Sequence, residues 1–171
     1  WWRAATYVSG CHRQTATLAP VFHLDETIHE DIRPLAWLIG RWEGAGVVGY
    51  PSMSSRNFGQ EIIVEHDGRP YLRWQTRSWL LLEDGTVERP AATEMGFWRM
   101  AGGEAELLLT HPTGIVELYF GTAEPAKIEL RTDGVLRSSH AKEYNAAGRL
   151  YGLVNSNLLW AMDMAATGHP M

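Results

Sequence analysis

The sequence predicts an all-β protein: an antiparallel up-and-down barrel of about ten strands, preceded by a short helix. Three observations point there. From Arg41 onward, polar and apolar residues alternate with a period of two. Turn signals interrupt the alternation every ~8–12 residues, too often for the crossovers that parallel strands need. A GxWxGxG run of Gly40, Trp42, Gly44 and Gly46 opens the series.

Residues 1–24 mix Trp, Ser, Thr, Gly and Cys without a period and read as a loosely ordered N-terminal arm, with residues 25–171 as the barrel domain. Asp25 to Leu38 reads as a short helix. Asp25 or Thr27 can cap it, acids follow in the first turn, and Leu35, Leu38 and Ile39 form its apolar end. Pro34 is expected to break or kink it. Trp42 would plug one end of the barrel. Gly44 and Gly46 would relieve crowding where a strand bends hard or crosses a neighbour.

Later strands show in Leu72, Trp74 and Thr76 set between Arg73, Gln75 and Arg77. They show again in Leu107 and Leu109 set among Glu106, Leu108 and Thr110, and in Ile128, Leu130 and Thr132 set among Lys127, Glu129 and Arg131. Turns are expected at Asp67-Gly68, Asp84-Gly85, Gly102-Gly103, Thr113-Gly114, Asp133-Gly134, Gly148 and Asn155-Ser156-Asn157. A meander of this length closes on itself to remove its edges, and about eight strands or more leave room for one small ligand.

Composition bounds the function. The chain has 171 residues, 45% hydrophobic and 20% charged, with a net charge of -5. That is one ordinary globular domain, with neither the basic stripe of a nucleic-acid binder nor an apolar run approaching the ~20 residues of a bilayer span. Cys11 is the single cysteine, which excludes an internal disulfide and a Cys-rich metal site and suits a reducing cytoplasm. The first residues lack the basic start and apolar core of a secretory signal. The eight tryptophans read as large barrel-filling side chains. No nucleophile–base signature, metal-spaced His/Glu cluster or phosphate loop is present.

The order of segments resembles the nitrobindin family of heme-binding barrels, which are similar to fatty-acid-binding proteins. The matching pieces are Leu38-Ile39-Gly40-Arg41-Trp42-Glu43-Gly44-Ala45-Gly46, Phe58-Gly59-Gln60-Glu61, and His66-Asp67-Gly68-Arg69-Pro70-Tyr71-Leu72. Glu94-Met95-Gly96-Phe97-Trp98-Arg99, His111-Pro112-Thr113-Gly114, Ala141-Lys142-Glu143 and Asp163-Met164-Ala165-Ala166 follow in register. The resemblance implies a ten-stranded barrel holding ferric heme b in an open cleft through one histidine. It also implies nitric oxide binding and isomerisation of peroxynitrite to nitrate. In the family the axial histidine follows a small-residue loop that Thr167-Gly168-His169-Pro170 resembles, and the family spacing places it a few positions beyond Met171, on a closing strand.

The candidate cofactor-binding residues are therefore Lys142, His111 and His169, with His169 as the candidate metal ligand. Lys142 lies in the context that the family sets beside a heme propionate. Alternatively it is a surface lysine paired with Glu143 or Glu129. His111 ends an apolar strand and either lines the cleft or serves as a hydrogen-bonded structural residue. His169 is nearest the family's ligand position but occupies a loop. His12, His23 and His29 precede the barrel, His66 reads as a turn residue, and His140 as exposed. The expected partners are heme or another small hydrophobic molecule, with no nucleic acid or membrane. The arm, with Thr6, Tyr7 and Val8 as its best β formers, or a second copy in a homodimer, would cover the barrel's open edge. Without the family histidine, heme binding is expected to be weak or absent. The alternative is a heme-free barrel that carries another hydrophobic molecule.

Overall fold

The computed structural model describes residues 4–8, 27–50 and 53–166. Ten strands are seen: β1 (Ala4–Val8), β2 (Gly40–Tyr50), β3 (Met53–Glu65), β4 (Leu72–Leu81), β5 (Val87–Ala101), β6 (Glu104–His111), β7 (Ile115–Glu124), β8 (Lys127–Arg137), β9 (Tyr144–Val154) and β10 (Asn157–Ala166). Each strand from β2 to β10 pairs antiparallel with the next in sequence, as a meander must when its turns are short. β1 closes the ring. Its five residues pair with Leu158 to Met162 of β10, and Ala5 to Tyr7 pair with Ala45 to Val47 of β2. The chain's own N-terminal segment, including Thr6, Tyr7 and Val8, thus lies between the two edges.

The period-two runs place their residues as expected. Along β4, Leu72, Trp74 and Thr76 are buried and Arg73, Gln75 and Arg77 exposed. Along β6, Ala105, Leu107 and Leu109 face in. Two expected turns are instead inside strands. Tyr119 faces Thr132 while Leu118 faces Gly134, so Asp133 is the extra residue of a β-bulge within β8. Gly148 sits in the middle of β9, paired with Asp163 and Arg131. The β7–β8 turn falls at Pro125-Ala126, where Ala126 adopts φ 62° and its carbonyl accepts from Leu153 N–H at 2.9 Å.

The expected helix is a 3₁₀ helix over Glu30–Leu38. Its cap is His29 rather than Thr27, and Asp25 lies outside the described residues: His29 Nδ1 accepts from Asp31 N–H at 3.3 Å. Pro34 does not stop it. Burial of Ile32, Leu35, Ala36, Trp37 and Leu38 on the barrel end outweighs the one missing donor. Trp42 joins that plug, donating its indole N–H to Leu38 O at 2.9 Å. Above the plug lies an aromatic core. Trp74, Trp98 and Tyr151 meet edge to face with centroids 5.2–5.7 Å apart.

Candidate ligand cleft

The helix plugs the end of the barrel where β2 begins. Toward the end of β2 the interior opens into a cleft of about 660 Å³, within the usual size of a small-molecule site. Its apolar walls include Phe58, Leu80, Ile115, Trp160, Met162 and Met164. Gly49, Ala91 and Ala92 keep one part of the wall free of large side chains. Lys142 and Glu143, both exposed, stand at the rim. Trp160 turns its indole N–H to Gln60 Oε1 at 2.8 Å and stacks on Tyr151.

Charge lies beneath these walls. β5, β7 and β9 send Glu94, Glu117 and Arg149 inward, in the same phase as Trp98, Tyr119 and Tyr151. Arg149 forms a two-point contact with Glu94, at 2.7 and 3.1 Å, and its guanidinium lies 5.1 Å from the Tyr119 ring centre. Glu117 is 1% exposed. It survives there because its oxygens are engaged. Oε1 accepts from Tyr119 OH at 2.5 Å and from Tyr144 OH, Oε2 meets His111 Nε2 at 2.6 Å, and Arg149 lies 3.6 Å away.

This arrangement sets the protonation states. Burial pushes Glu94 up, but the charge and hydrogen bonds of Arg149 outweigh it and hold the carboxyl below the usual range. Burial also works against Glu117, and its contacts with His111, Arg149 and the tyrosines hold it below the usual range. Burial and the neighbouring carboxylate push the hydroxyls of Tyr119 and Tyr144 well above a free phenol, and Tyr151 rises to about 12, chiefly through burial. Burial lowers Arg149, but Glu94 more than compensates, so it stays charged.

Of the residues singled out in the sequence, the structure brings His111 and Lys142 to the same cleft. His111 proves to be both a lining residue and a hydrogen-bonded one. Glu129, a suggested partner of Lys142, pairs with Lys127 at 3.5 Å. His169 and its loop, with His12 and His23, lie outside the described residues. His66 is a turn residue whose Nδ1 accepts from Gly68 N–H at 3.4 Å, and His140 is exposed. Gly40, Trp42, Gly44 and Gly46 all lie on β2, and none of them lines the cleft. Glu94, Glu117, Tyr144 and Arg149 were not singled out. The signal for three of them was a charged residue in the inward phase of a strand, where an apolar one was due. Among the described residues, no group of three or more His, Cys, Asp and Glu is arranged to hold a metal ion, and no helix is long and apolar enough to cross a membrane.

A closed barrel with an apolar cleft over a hydrogen-bonded polar floor defines a small-molecule-binding β-barrel. The profile of the THAP4-like, heme-binding beta-barrel domain matches residues 31–171, and the chain belongs to that family. It is 46% identical over 151 residues to a peroxynitrite isomerase of Nocardioides sp. (strain ATCC BAA-499 / JS614), covering 88% of this chain and 92% of the relative. It is 46% identical over 154 residues to a ferric nitrobindin-like protein of Kineococcus radiotolerans, covering 81% and 86%. The crystal structure of Rv2717c from M. tuberculosis superimposes with a TM-score of 0.73 at 30% identity, over 84% of this chain and 91% of that one.

Proposed function

We propose that the cleft takes heme b, and that the loaded protein isomerises peroxynitrite to nitrate and binds nitric oxide. The observation that supports this most is the 660 Å³ apolar cleft with Lys142 at its rim, in a chain of the heme-binding family. The residues present suit a flat apolar group with carboxylate tails. Phe58, Leu80, Ile115 and Trp160 offer apolar contact, and the Lys142 ammonium at the rim would pair with a propionate. His169 remains the metal-ligand candidate that the sequence offers. Heme would supply the ferric iron, while the chain supplies the binding surface, its orientation and the polar floor. The single cysteine supports a cytoplasmic setting.

Hemin titration of the whole chain, read in the Soret band, is the test. The expected result is a one-to-one complex at micromolar hemin, which Lys142→Ala weakens about 2- to 5-fold and His169→Ala leaves nearly unchanged. The complex should speed peroxynitrite decay and raise the nitrate yield over free hemin. Absence of a complex, or a nitrate yield equal to that of free hemin, would overturn the reading. Loss of the Soret band in His169→Ala would make His169 the axial ligand.

A further inference from the structure

We infer that His111, anchored through Nε2 on Glu117, is the proton-carrying group of the cleft, exchanging a proton through Nδ1 with a small anion bound there. This rests on the reading of the cleft as a heme site for small nitrogen oxyanions, and it adds a role for one side chain.

The geometry carries it. His111 ends β6, lines the cleft, and has one nitrogen fixed by a carboxylate that is itself held by two hydroxyls. A carboxylate at Nε2 keeps the proton on that nitrogen and leaves Nδ1 as the exchangeable position. Nδ1 has no hydrogen-bond partner among the described residues.

The surrounding groups narrow the choice. Glu94 from β5, Glu117 from β7 and Tyr144 from β9 line the cleft with this ring, Lys142 and Glu143 stand at the rim, and Tyr119 and Arg149 contact Glu117. The Tyr119 and Tyr144 hydroxyls donate hydrogen bonds to Glu117 and keep their protons, and Arg149 is paired with Glu94. The His111 ring nitrogen opposite Glu117 is the floor's basic atom that no described residue engages. Two carboxylates against one guanidinium leave one negative charge unmatched, and a proton on His111 matches it.

When peroxynitrite binds, the Nδ1–H bond breaks as the proton passes to one of its oxygens, and the imidazole becomes the neutral Nε2–H form. Nitrate is too weak a base to keep that proton, so it returns to Nδ1 as nitrate forms, and the anion leaves with the starting state restored. Glu117 neither gains nor loses a proton.

Two measurements decide the matter. The first uses the full chain without heme and follows the His111 ring nitrogens by NMR. The expected result is the Nε2–H tautomer at alkaline pH, with the second proton added at Nδ1 on acidification while the chain stays folded. An Nδ1–H tautomer, or a ring that takes up no proton at Nδ1 while the chain stays folded, overturns the proposal. The second uses hemin-loaded protein with azide as the probe, comparing parent and His111→Gln across pH. The ratio of their azide affinities should fall with rising pH, approaching tenfold per unit, roughly the slope for one linked proton. A ratio that does not vary with pH overturns the proposal. Failure to retain hemin would count against the heme reading alone, and the ring measurement on the heme-free chain would still decide the role of His111.

Discussion

Replacing Arg149 by methionine would leave Glu94 and Glu117 as buried carboxylates without their guanidinium. The expected cost is about 3–5 kcal/mol, measured by urea unfolding at neutral pH. The pH dependence should change sign as well. In the parent both carboxyls have lowered folded pKa values. Such groups bind fewer protons folded than unfolded. Their stabilisation is complete above the ordinary glutamate range, about pH 4–5, and is lost as pH falls through the folded values. In Arg149→Met, burial acts on Glu94 with no guanidinium opposing it. The variant should gain stability as pH falls from about 7 toward 5. A variant whose stability stays flat or falls over that interval would show that Arg149 is not what holds Glu94 charged. The sequence did not disclose this cluster because its members are far apart along the chain: Arg149 and Glu94 are separated by 55 residues. Register, which only the folded sheet provides, brings them together. His111 was easier to find, since it stands at a strand end before a proline.

At the scale of elements, β1 is the smallest strand and closes the largest gap. It fills the edge between β2 and β10, separated from them in sequence by the helix and by most of the barrel. Deleting residues 1–8 would expose both edges. The expected outcome is a lower Tm, by about 2–4 °C for each kcal/mol lost, or a shift to a dimer in size-exclusion chromatography. An unchanged Tm with an unchanged oligomeric state would show that the strand contributes nothing to closure. A second test concerns β7 and β8, which approach closely at Gly121. A Cβ there would lie 2.0 Å from Glu129 O, a backbone atom that cannot swing away. Gly121→Ala should cost about 1–3 kcal/mol, or more if β8 cannot move. Stability within a few tenths of the parent would place those strands further apart. Strand order and inward phase were legible because one face of each strand meets the core. The bulge at Asp133 was not, since Asp-Gly has the same composition in a turn and in a bulge.

The molecule as a whole has a closed end and an open end. The helix, Trp42 and the Trp74–Trp98–Tyr151 cluster fill one, while the other surrounds the cleft. Opening free energy should follow that division. Hydrogen exchange should be slowest for amides flanking Trp74, Trp98 and Leu107, and faster for the halves of β4 and β5 around Ser78 and Ala92. The opposite order would mean that the cleft end, not the plugged end, holds the barrel together. The general barrel was readable from period and turn spacing. Which end stays open was not, because it depends on where the helix docks.

Trp160 gives the cleft an optical consequence. Its indole stands in the wall and stacks on Tyr151, which touches Trp98 and Trp74. Light absorbed anywhere along this chain of rings can migrate to the side chain nearest the ligand. A guest that absorbs in the near ultraviolet or blue, as a porphyrin does, should therefore darken the protein's own emission on entry. Colourless guests of the same size should shift the emission band without extinguishing it. Trp160→Phe should remove most of the shift that colourless guests produce, since Trp160 is the tryptophan in the cleft wall. A variant whose shift matches the parent's would place the guest elsewhere. The barrel carries its own occupancy meter, with no label attached.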